Sequence, residues 1–315
     1  MHKLVPFRNA EEITFKEGFV KRYSALTDWE IYKKYSLSYL RKSIRVNTLK
    51  ISVEEMKERI SKNWVLEQVP WCTEGFWVTH KEGRLDIGNS VEHVLGYYYV
   101  QEAASMIPPI VLDPQPGDAV LDLCAAPGSK TTQLAQYMKN KGVLVANDIT
   151  GDRLASLGIN CTRVGAANVI ITQQSGERFA GNLFDKILVD APCSGTGTIR
   201  KSLKTIMWWN PNMIKRLSVT QKRLMANAYT LLKPGGTLVY STCSSEPDEN
   251  EGVIDDFLAK NPDAKLEEIN LNLKHGPAVQ EFEGKTYSKE IQKCLRLWPQ
   301  DNDTEGFFVA KIRKT

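Results

Sequence analysis

An α/β fold is predicted: a mostly parallel, doubly wound sheet preceded by a smaller α+β domain. Three observations predict it. From Pro116 onward, short apolar runs alternate with helical patterns, the order that puts helices on both faces of a parallel sheet. Two apolar runs, Ile187-Leu188-Val189 and Thr237-Leu238-Val239-Tyr240, end in small polar residues, and each delivers a cysteine, Cys193 and Cys243. The run Leu121-Asp122-Leu123-Cys124 leads through Ala125-Ala126-Pro127-Gly128 into a helix start at Ser129. If the two cysteine-bearing runs are neighbouring parallel strands, both thiols emerge at the carboxyl edge of one sheet, where open α/β folds bind ligands.

The smaller domain comes first. Apolar residues from Ile13 and Phe15 through Phe19, Tyr23, Leu26, Trp29 and Tyr32 to Leu40 recur at helical spacing among charges, which predicts two or three short helices. Ile44 to Leu49 is expected as a strand. A helix follows from Ser52 to about Lys62, with Ser52 and Glu55 forming a capping box. Trp64 to Val69 and Phe76 to Thr79 are two more strands. The segment from Gly96 to Pro109 is expected to be mostly helix, ended before its proline pair, and to join residues 1–108 to residues 109–315.

In the larger domain, strands are expected at Ala119 to Cys124, Gly142 to Asn147, Asn168 to Thr172, Lys186 to Asp190 and Gly236 to Tyr240. Helices start at Ser129, Gly151 and about Asp248, and a long one ends at Leu232. The late runs Ala264 to Ile269, Cys294 to Trp298 and Gly306 to Arg313 finish the sheet.

Composition narrows the function classes. The chain has 315 residues, 42% of them hydrophobic, enough to bury a substantial core. No stretch approaches eighteen unbroken apolar residues, and Met1-His2-Lys3-Leu4-Val5-Pro6 leads into charged sequence rather than a signal-peptide core. A cytoplasmic protein with no membrane partner is expected. None of the six cysteines forms a Cys-x-x-Cys pair, which argues against zinc ribbons and thioredoxin-type chemistry, and no metal is expected. The net charge of +4 is mild, but residues 1–45 hold ten Lys and Arg against five acids. That excess is either a solvated helical face or a surface for phosphates.

The segment from Leu121 to Thr132 has the features of a cofactor site. Small residues let a ligand approach the backbone, and free N–H groups at a helix start favour an anionic group such as a carboxylate. It is neither a Gly-x-Gly-x-x-Gly nor a P-loop pattern, which disfavours dinucleotides and ATP. Asp148 ends the next strand twenty residues past Gly128, the place where an acid accepts both ribose hydroxyls. A nucleoside without phosphates that carries an amino-acid tail fits, and S-adenosyl-L-methionine is the common cofactor of that description. Asp185 is expected to be structural. Ser175 and Glu177, near the third strand tip, are candidates for the adenine side.

With these residues in hand, the chain resembles the RNA 5-methylcytosine methyltransferases of the Nop2/Sun family. The likeness runs through Arg45 to Lys50, Gln101 to Met106, Cys124 to Thr131, Asp190 to Gly195, Ser241 to Ser244 with Glu249-Asn250-Glu251, and Leu295 to Pro299 with Glu305 to Ala310. The chain departs from the family at Ser129, where a second glycine is usual, and at Gln174 to Glu177, where an aspartate is common.

The resemblance implies a Rossmann-like class I methyltransferase domain, S-adenosyl-L-methionine as cofactor and RNA as partner, with tRNA ahead of rRNA and a monomer expected. Spacing leaves open which cysteine attacks. In similar enzymes the cysteine matching Cys243 is the nucleophile, while the one matching Cys193 assists product release. Asp190 then bonds the cytosine edge, and Lys130 reaches the base. The implied cofactor contacts are Cys124, Ala125, Ala126, Pro127, Gly128, Ser129, Lys130, Asp148, Arg153 and Asp190.

Carbon 5 of cytosine is a poor nucleophile, and thiolate addition at carbon 6 activates it; cysteine suits this because its thiolate is accessible near neutral pH. Cys72, Cys161 and Cys294 are expected as packing residues. The target base must be unpaired or flipped out, and the segment Thr198 to Met213, with Arg200, Lys201, Lys204, Trp208 and Trp209, either contacts RNA or packs on the sheet. Rival readings are an amino-group methyltransferase, which needs no adduct, and a non-catalytic RNA-binding assembly factor.

Overall fold

The computed structural model describes residues 4–181 and 183–315; residues 1–3, including Lys3 of the amino-terminal excess, lie outside them. Helices α1 (Glu17–Ser24) and α2 (Trp29–Ser36) open the chain, and Asp28 caps α2 by accepting the Ile31 N–H at 3.0 Å. Strand β1 (Ser43–Val46) follows, then α3 (Val53–Ile60) with the expected Ser52–Glu55 capping box. Strands β2 (Trp64–Gln68) and β3 (Gly75–His80), helix α4 (Val91–Val94) and strand β4 (Tyr98–Val100) complete an antiparallel sheet in the order β2-β3-β1-β4. Its core holds Ile44, Val46, Met56, Phe76 and Tyr98.

The expected helix over residues 96–109 is not formed. Tyr98-Tyr99-Val100 pairs with β1 instead, Ile44 opposite Val100, since aromatic and β-branched side chains fit a sheet that lacks one strand. The proline pair starts helix α5 (Ile107–Leu112) rather than ending one. Proline is tolerated in a first helical turn because the N–H groups there have no intrahelical partner.

The larger sheet contains β5 (Ala119–Asp122), β6 (Val143–Asp148), β7 (Val169–Gln173), β8 (Phe184–Asp190) and β9 (Leu232–Thr242), all parallel, in the order β7-β6-β5-β8-β9. Between them run α6 (Ser129–Tyr137), α7 (Gly151–Val164), α8 (Lys204–Trp208) and α9 (Pro211–Thr230). The long helix expected before β9 is thus split, because Asn210 caps α9 and Pro211 occupies its first turn.

After α10 (Glu251–Lys260) come β10 (Ala264–Glu267), the small hairpin β11 (Glu281–Phe282) and β12 (Lys285–Thr286), β13 (Leu295–Leu297), α11 (Pro299–Asn302) and β14 (Phe307–Lys314). β14 adds antiparallel to β9, and β10 and β13 pair with β14, so the late strands finish the sheet as expected.

Side chains alternate between two cores, as strand geometry requires. Leu121, Ile187, Val189, Leu238 and Tyr240 meet α9 and α10 on one face. Val120, Leu188 and Val239 meet α5 and α6 on the other.

The two sheets are joined by a buried cation. Arg45, on β1, is 1% exposed and donates to the Ser129 carbonyl at 2.9 Å, to Thr132 Oγ1 at 3.0 Å and to Gln101. A second inward-turned cation, Arg22, pairs with Glu246, Asp248 and Glu283. Part of the amino-terminal excess therefore serves packing rather than a phosphate surface. No helix among the described residues is long and apolar enough to cross a membrane.

Candidate active site

β5 and β8 are neighbours at the centre of the sheet, and the chain leaves them toward opposite edges, so a crevice opens beyond their carboxyl ends. A cavity of about 510 Å³ fills it. Its walls include Cys124, Ala125, Ala126, Pro127, Ser129, Lys130, Asp148, Arg153, Asp190, Cys193 and Cys243. Of the implied site residues only Gly128 is not part of the lining. It precedes α6 with φ +104°, and a Cβ there would come within 2.8 Å of Leu157, so its contribution is the shape of the turn.

The two cysteines meet. Cys193 follows β8 and Cys243 follows β9, and their sulfurs lie 3.3 Å apart. Sharing that contact with Cys243, together with burial, holds the Cys193 thiol well above its ordinary pKa. Cys124 is also raised, by burial first and by nearby carboxylates second. Cys72 and Cys294 are buried outside the cavity, and Cys161 packs between α7 and the sheet.

Asp190, at the tip of β8, is held from two sides: Lys130 Nζ donates to Oδ2 at 2.6 Å and Ser241 Oγ to Oδ1 at 2.8 Å. Burial works against the Lys130 ammonium, but Asp190 outweighs it, and the lysine ends above its ordinary pKa.

Glu249, named in the sequence only as part of the family likeness, was assigned no role there. Its carboxylate accepts from the Ser194 N–H at 2.9 Å, from the Ser194 and Ser244 hydroxyls at 2.5 Å each, and from Gln221 Nε2 at 3.1 Å. Ser194 follows Cys193 and Ser244 follows Cys243, so one acid ties the two cysteine loops together. Close backbone approach helps: Gly197 donates its N–H to the Cys243 carbonyl at 3.0 Å, and a Cβ at Gly197 would lie 2.8 Å from that oxygen. The Glu-Asn-Glu spacing after the Thr-Cys-Ser run was the available signal.

At the cofactor end, Asp148 is buried, with Oδ2 accepting the Ala126 N–H at 3.2 Å and Oδ1 accepting Arg153 Nη1 at 3.4 Å. Asp122 was also missed as a site residue. It is 1% exposed, its Oδ2 accepts from Thr131 at 2.7 Å, and its Oδ1 has no partner among the described residues. Burial pushes its carboxyl up to about 7. An acid with an open lone pair at one wall and a second acid at a strand tip suit a ligand with an ammonium and a ribose, which is what S-adenosylmethionine presents. Ser175 and Glu177 also reach the lining, while Gln174 is not among it. Asp185 is structural, accepting from the Ala119 N–H at 2.9 Å and from Lys233 at 2.8 Å.

The segment after Thr198 divides. Arg200 is buried and donates to the carbonyls of Ser38, Tyr39 and Thr304. Trp209 is buried and donates to Glu246 at 2.9 Å. Lys201 lines the cavity, and Trp208 is 66% exposed.

A doubly wound sheet with antiparallel late strands, opening on a crevice beyond the carboxyl ends of its central strands, defines a class I methyltransferase that uses S-adenosylmethionine. The chain belongs to the RsmB/F family of RNA methyltransferases: the model for 16S rRNA methyltransferase RsmB/F matches residues 109–313, and that for the N-terminal domain of 16S rRNA methyltransferase RsmF matches residues 15–103. The chain is 49% identical over 298 residues to the tRNA (cytosine(49)-C(5))-methyltransferase of Pyrococcus abyssi, covering 94% of this chain and 95% of that one. It is 44% identical over 283 residues to the ribosomal RNA small subunit methyltransferase F of Shewanella sp. strain MR-7, covering 88% of this chain but 57% of that protein. Among solved structures, a methyltransferase homolog from Pyrococcus horikoshii superposes with a TM-score of 0.87 at 39% identity, covering 97% of each chain.

Proposed function

We propose that this enzyme methylates carbon 5 of cytosine in RNA through a covalent bond between Cys243 and carbon 6, with tRNA as the substrate. The observation that carries the reading is the pair of sulfurs 3.3 Å apart on one cavity wall, beside an aspartate held by a lysine. An amino-group methyltransferase has no use for two thiols in contact, and a non-catalytic factor none for the Lys130–Asp190 pair.

The residues divide the work as follows. Cys193, its proton held tightly, lies in hydrogen-bond contact with the Cys243 sulfur. Cys243 Sγ bonds to carbon 6 while Asp190, oriented by Lys130 and Ser241, holds the N3 and N4 edge and supports protonation there. Electron density then rests on carbon 5. S-adenosylmethionine supplies an electrophilic methyl group on its sulfonium. When the carbon-5 proton leaves, its electron pair re-forms the carbon 5–carbon 6 double bond, and the carbon 6–sulfur bond breaks with the pair going to Cys243. Cys193 assists this release: its thiol gives its proton to the departing Cys243 sulfur 3.3 Å away, and the thiolate so formed takes the carbon-5 proton. Glu249 keeps the two loops in register throughout.

Cofactor contacts follow the cavity walls. Asp148 takes the ribose hydroxyls beside Arg153, and the turn from Cys124 to Ser129 lies along the methionine part. Asp122 takes the ammonium. Because its carboxyl is pushed up to about 7, it is largely protonated at pH 6 and becomes an anion as pH rises. Affinity for S-adenosylmethionine is therefore expected to increase between pH 6 and 7.5 by calorimetry. Asp122→Asn should bind about tenfold more weakly, with that dependence flattened.

tRNA is favoured over rRNA because the Pyrococcus abyssi relative, named for tRNA, is 49% identical to this chain, against 44% for the Shewanella relative named for small-subunit rRNA. Incubation with transcribed tRNA and 16S rRNA, followed by bisulfite mapping, tests this. A new 5-methylcytosine in tRNA is expected; a signal confined to rRNA would reassign the substrate.

A further inference from the structure

The chain from Ala191 to Ser245 contains eight Lys and Arg and no Asp or Glu. Four of the cations are held by acids from elsewhere: Arg200 by Asp303, Lys222 by Asp256, Arg223 by Glu177 and Lys233 by Asp185. The other four, Lys201, Lys204, Lys215 and Arg216, are exposed and make no ion pair among the described residues. All four lie on α8, on the start of α9, or on the approach to α8.

Helix α8 has two unlike sides. Ile206 and, just after it, Trp209 are buried against Phe19, Tyr23, Tyr32 and Ile214, and Trp209 is pinned further by Lys16 Nζ donating to its carbonyl at 2.8 Å. The other side turns out to solvent, with Met207 70% and Trp208 66% exposed. The Lys204 ammonium lies 5.8 Å from the Trp208 ring centre. Thr198 and Lys201, immediately before, line the cavity. An anchored turn thus leads from the cavity lining to an open indole beside the Lys204 ammonium.

We propose that α8 and the first two turns of α9 carry the RNA strand next to the target cytosine, with a neighbouring base stacked on Trp208 and phosphates facing Lys204, Lys215 and Arg216. The inference rests on the RNA-methylating function proposed above. An exposed tryptophan supplies a face that any base can cover, and ammonium groups beside it neutralise backbone charge; together they make a track for single-stranded nucleic acid. A flipped-out target leaves its neighbours unstacked, and such a platform replaces the stacking they lose.

The test uses the full chain and a fluorescently labelled tRNA transcript. Trp208→Ala should weaken binding by anisotropy about tenfold and raise KM by a similar factor, with kcat within about twofold of the parent. Trp208→Phe should restore most of the loss, which a purely structural role for the indole does not predict. Lys204→Ala should reduce the slope of log affinity against log salt by about 0.7, while Trp208→Ala leaves that slope unchanged. With transcripts carrying an abasic residue on one side of the target or the other, one side should erase the difference between parent and Trp208→Ala. If parent and Trp208→Ala bind every transcript equally while the parent methylates RNA, the platform is refuted and the function stands. If the parent methylates no RNA, the function fails first and the platform with it.

Discussion

Cys243→Ala lowers methyl transfer to RNA by at least about a thousandfold, because no other group in the cavity can add to carbon 6 in its place. Cys193 does not substitute, since its thiol is held protonated well above the ordinary range by contact with Cys243 and by burial. Cys124 is equally unsuited, being pushed up by burial and surrounding carboxylates. None of the residues proposed to hold the cofactor lies on β9 or the loop after it, so calorimetry should show S-adenosylmethionine binding within about twofold of the parent. The measurement is single-turnover methyl incorporation beside that titration. Retained turnover would remove the covalent route, whereas loss of both activities would indicate a collapsed site.

Cys193→Ala has the second large effect, of a different kind. The addition step survives, because Cys243 and the Lys130–Asp190 pair are untouched, but release loses its proton acceptor. The variant should accumulate a protein–RNA species that survives denaturation when incubated with both cofactor and substrate RNA, with multiple-turnover rate down by about a hundredfold or more. Its appearance on a denaturing gel, dependent on RNA and cleared by ribonuclease, is the readout. A Cys193→Ala, Cys243→Ala double variant should form none. Glu249 places a constraint on both experiments: because it holds the neighbours of both cysteines, Ser194 and Ser244, variants of Glu249 would disturb both steps at once.

Much of this arrangement was legible in the sequence because it is encoded locally. Apolar runs capped by small residues marked the carboxyl ends of β8 and β9, and the Ala-Ala-Pro-Gly turn marked the step from β5 to α6. The capping box at Ser52 was readable for the same reason, all of its atoms lying within four residues. The failures share a cause as well. Tyr98 to Val100 has the apolar character of either element, and its choice was made by β1, more than fifty residues away in the chain. The proline pair looked like a stop because its position relative to the helix start is set by tertiary packing.

Charge misled in a similar way. Arg22 and Arg45 count toward a basic amino-terminal surface, yet the partners that turn them inward, Glu246 and the Ser129 carbonyl among them, come from the other domain. Trp208 and Trp209 are adjacent and chemically identical, and only the fold separates a buried anchor from an exposed face. Asp122 and Glu249 were given no role because what distinguishes them, an oxygen without a partner among the described residues and a bridge between loops, exists only once the strands are side by side.

The central claim is that Cys243 is the sulfur joined to the base. Mass spectrometry of the species trapped by Cys193→Ala, after ribonuclease and protease digestion, tests it most directly. The account predicts a methylated cytidine nucleotide attached to the peptide containing Cys243. A nucleotide carried by any other cysteine, or a trapped species with no covalent attachment to protein, would contradict it.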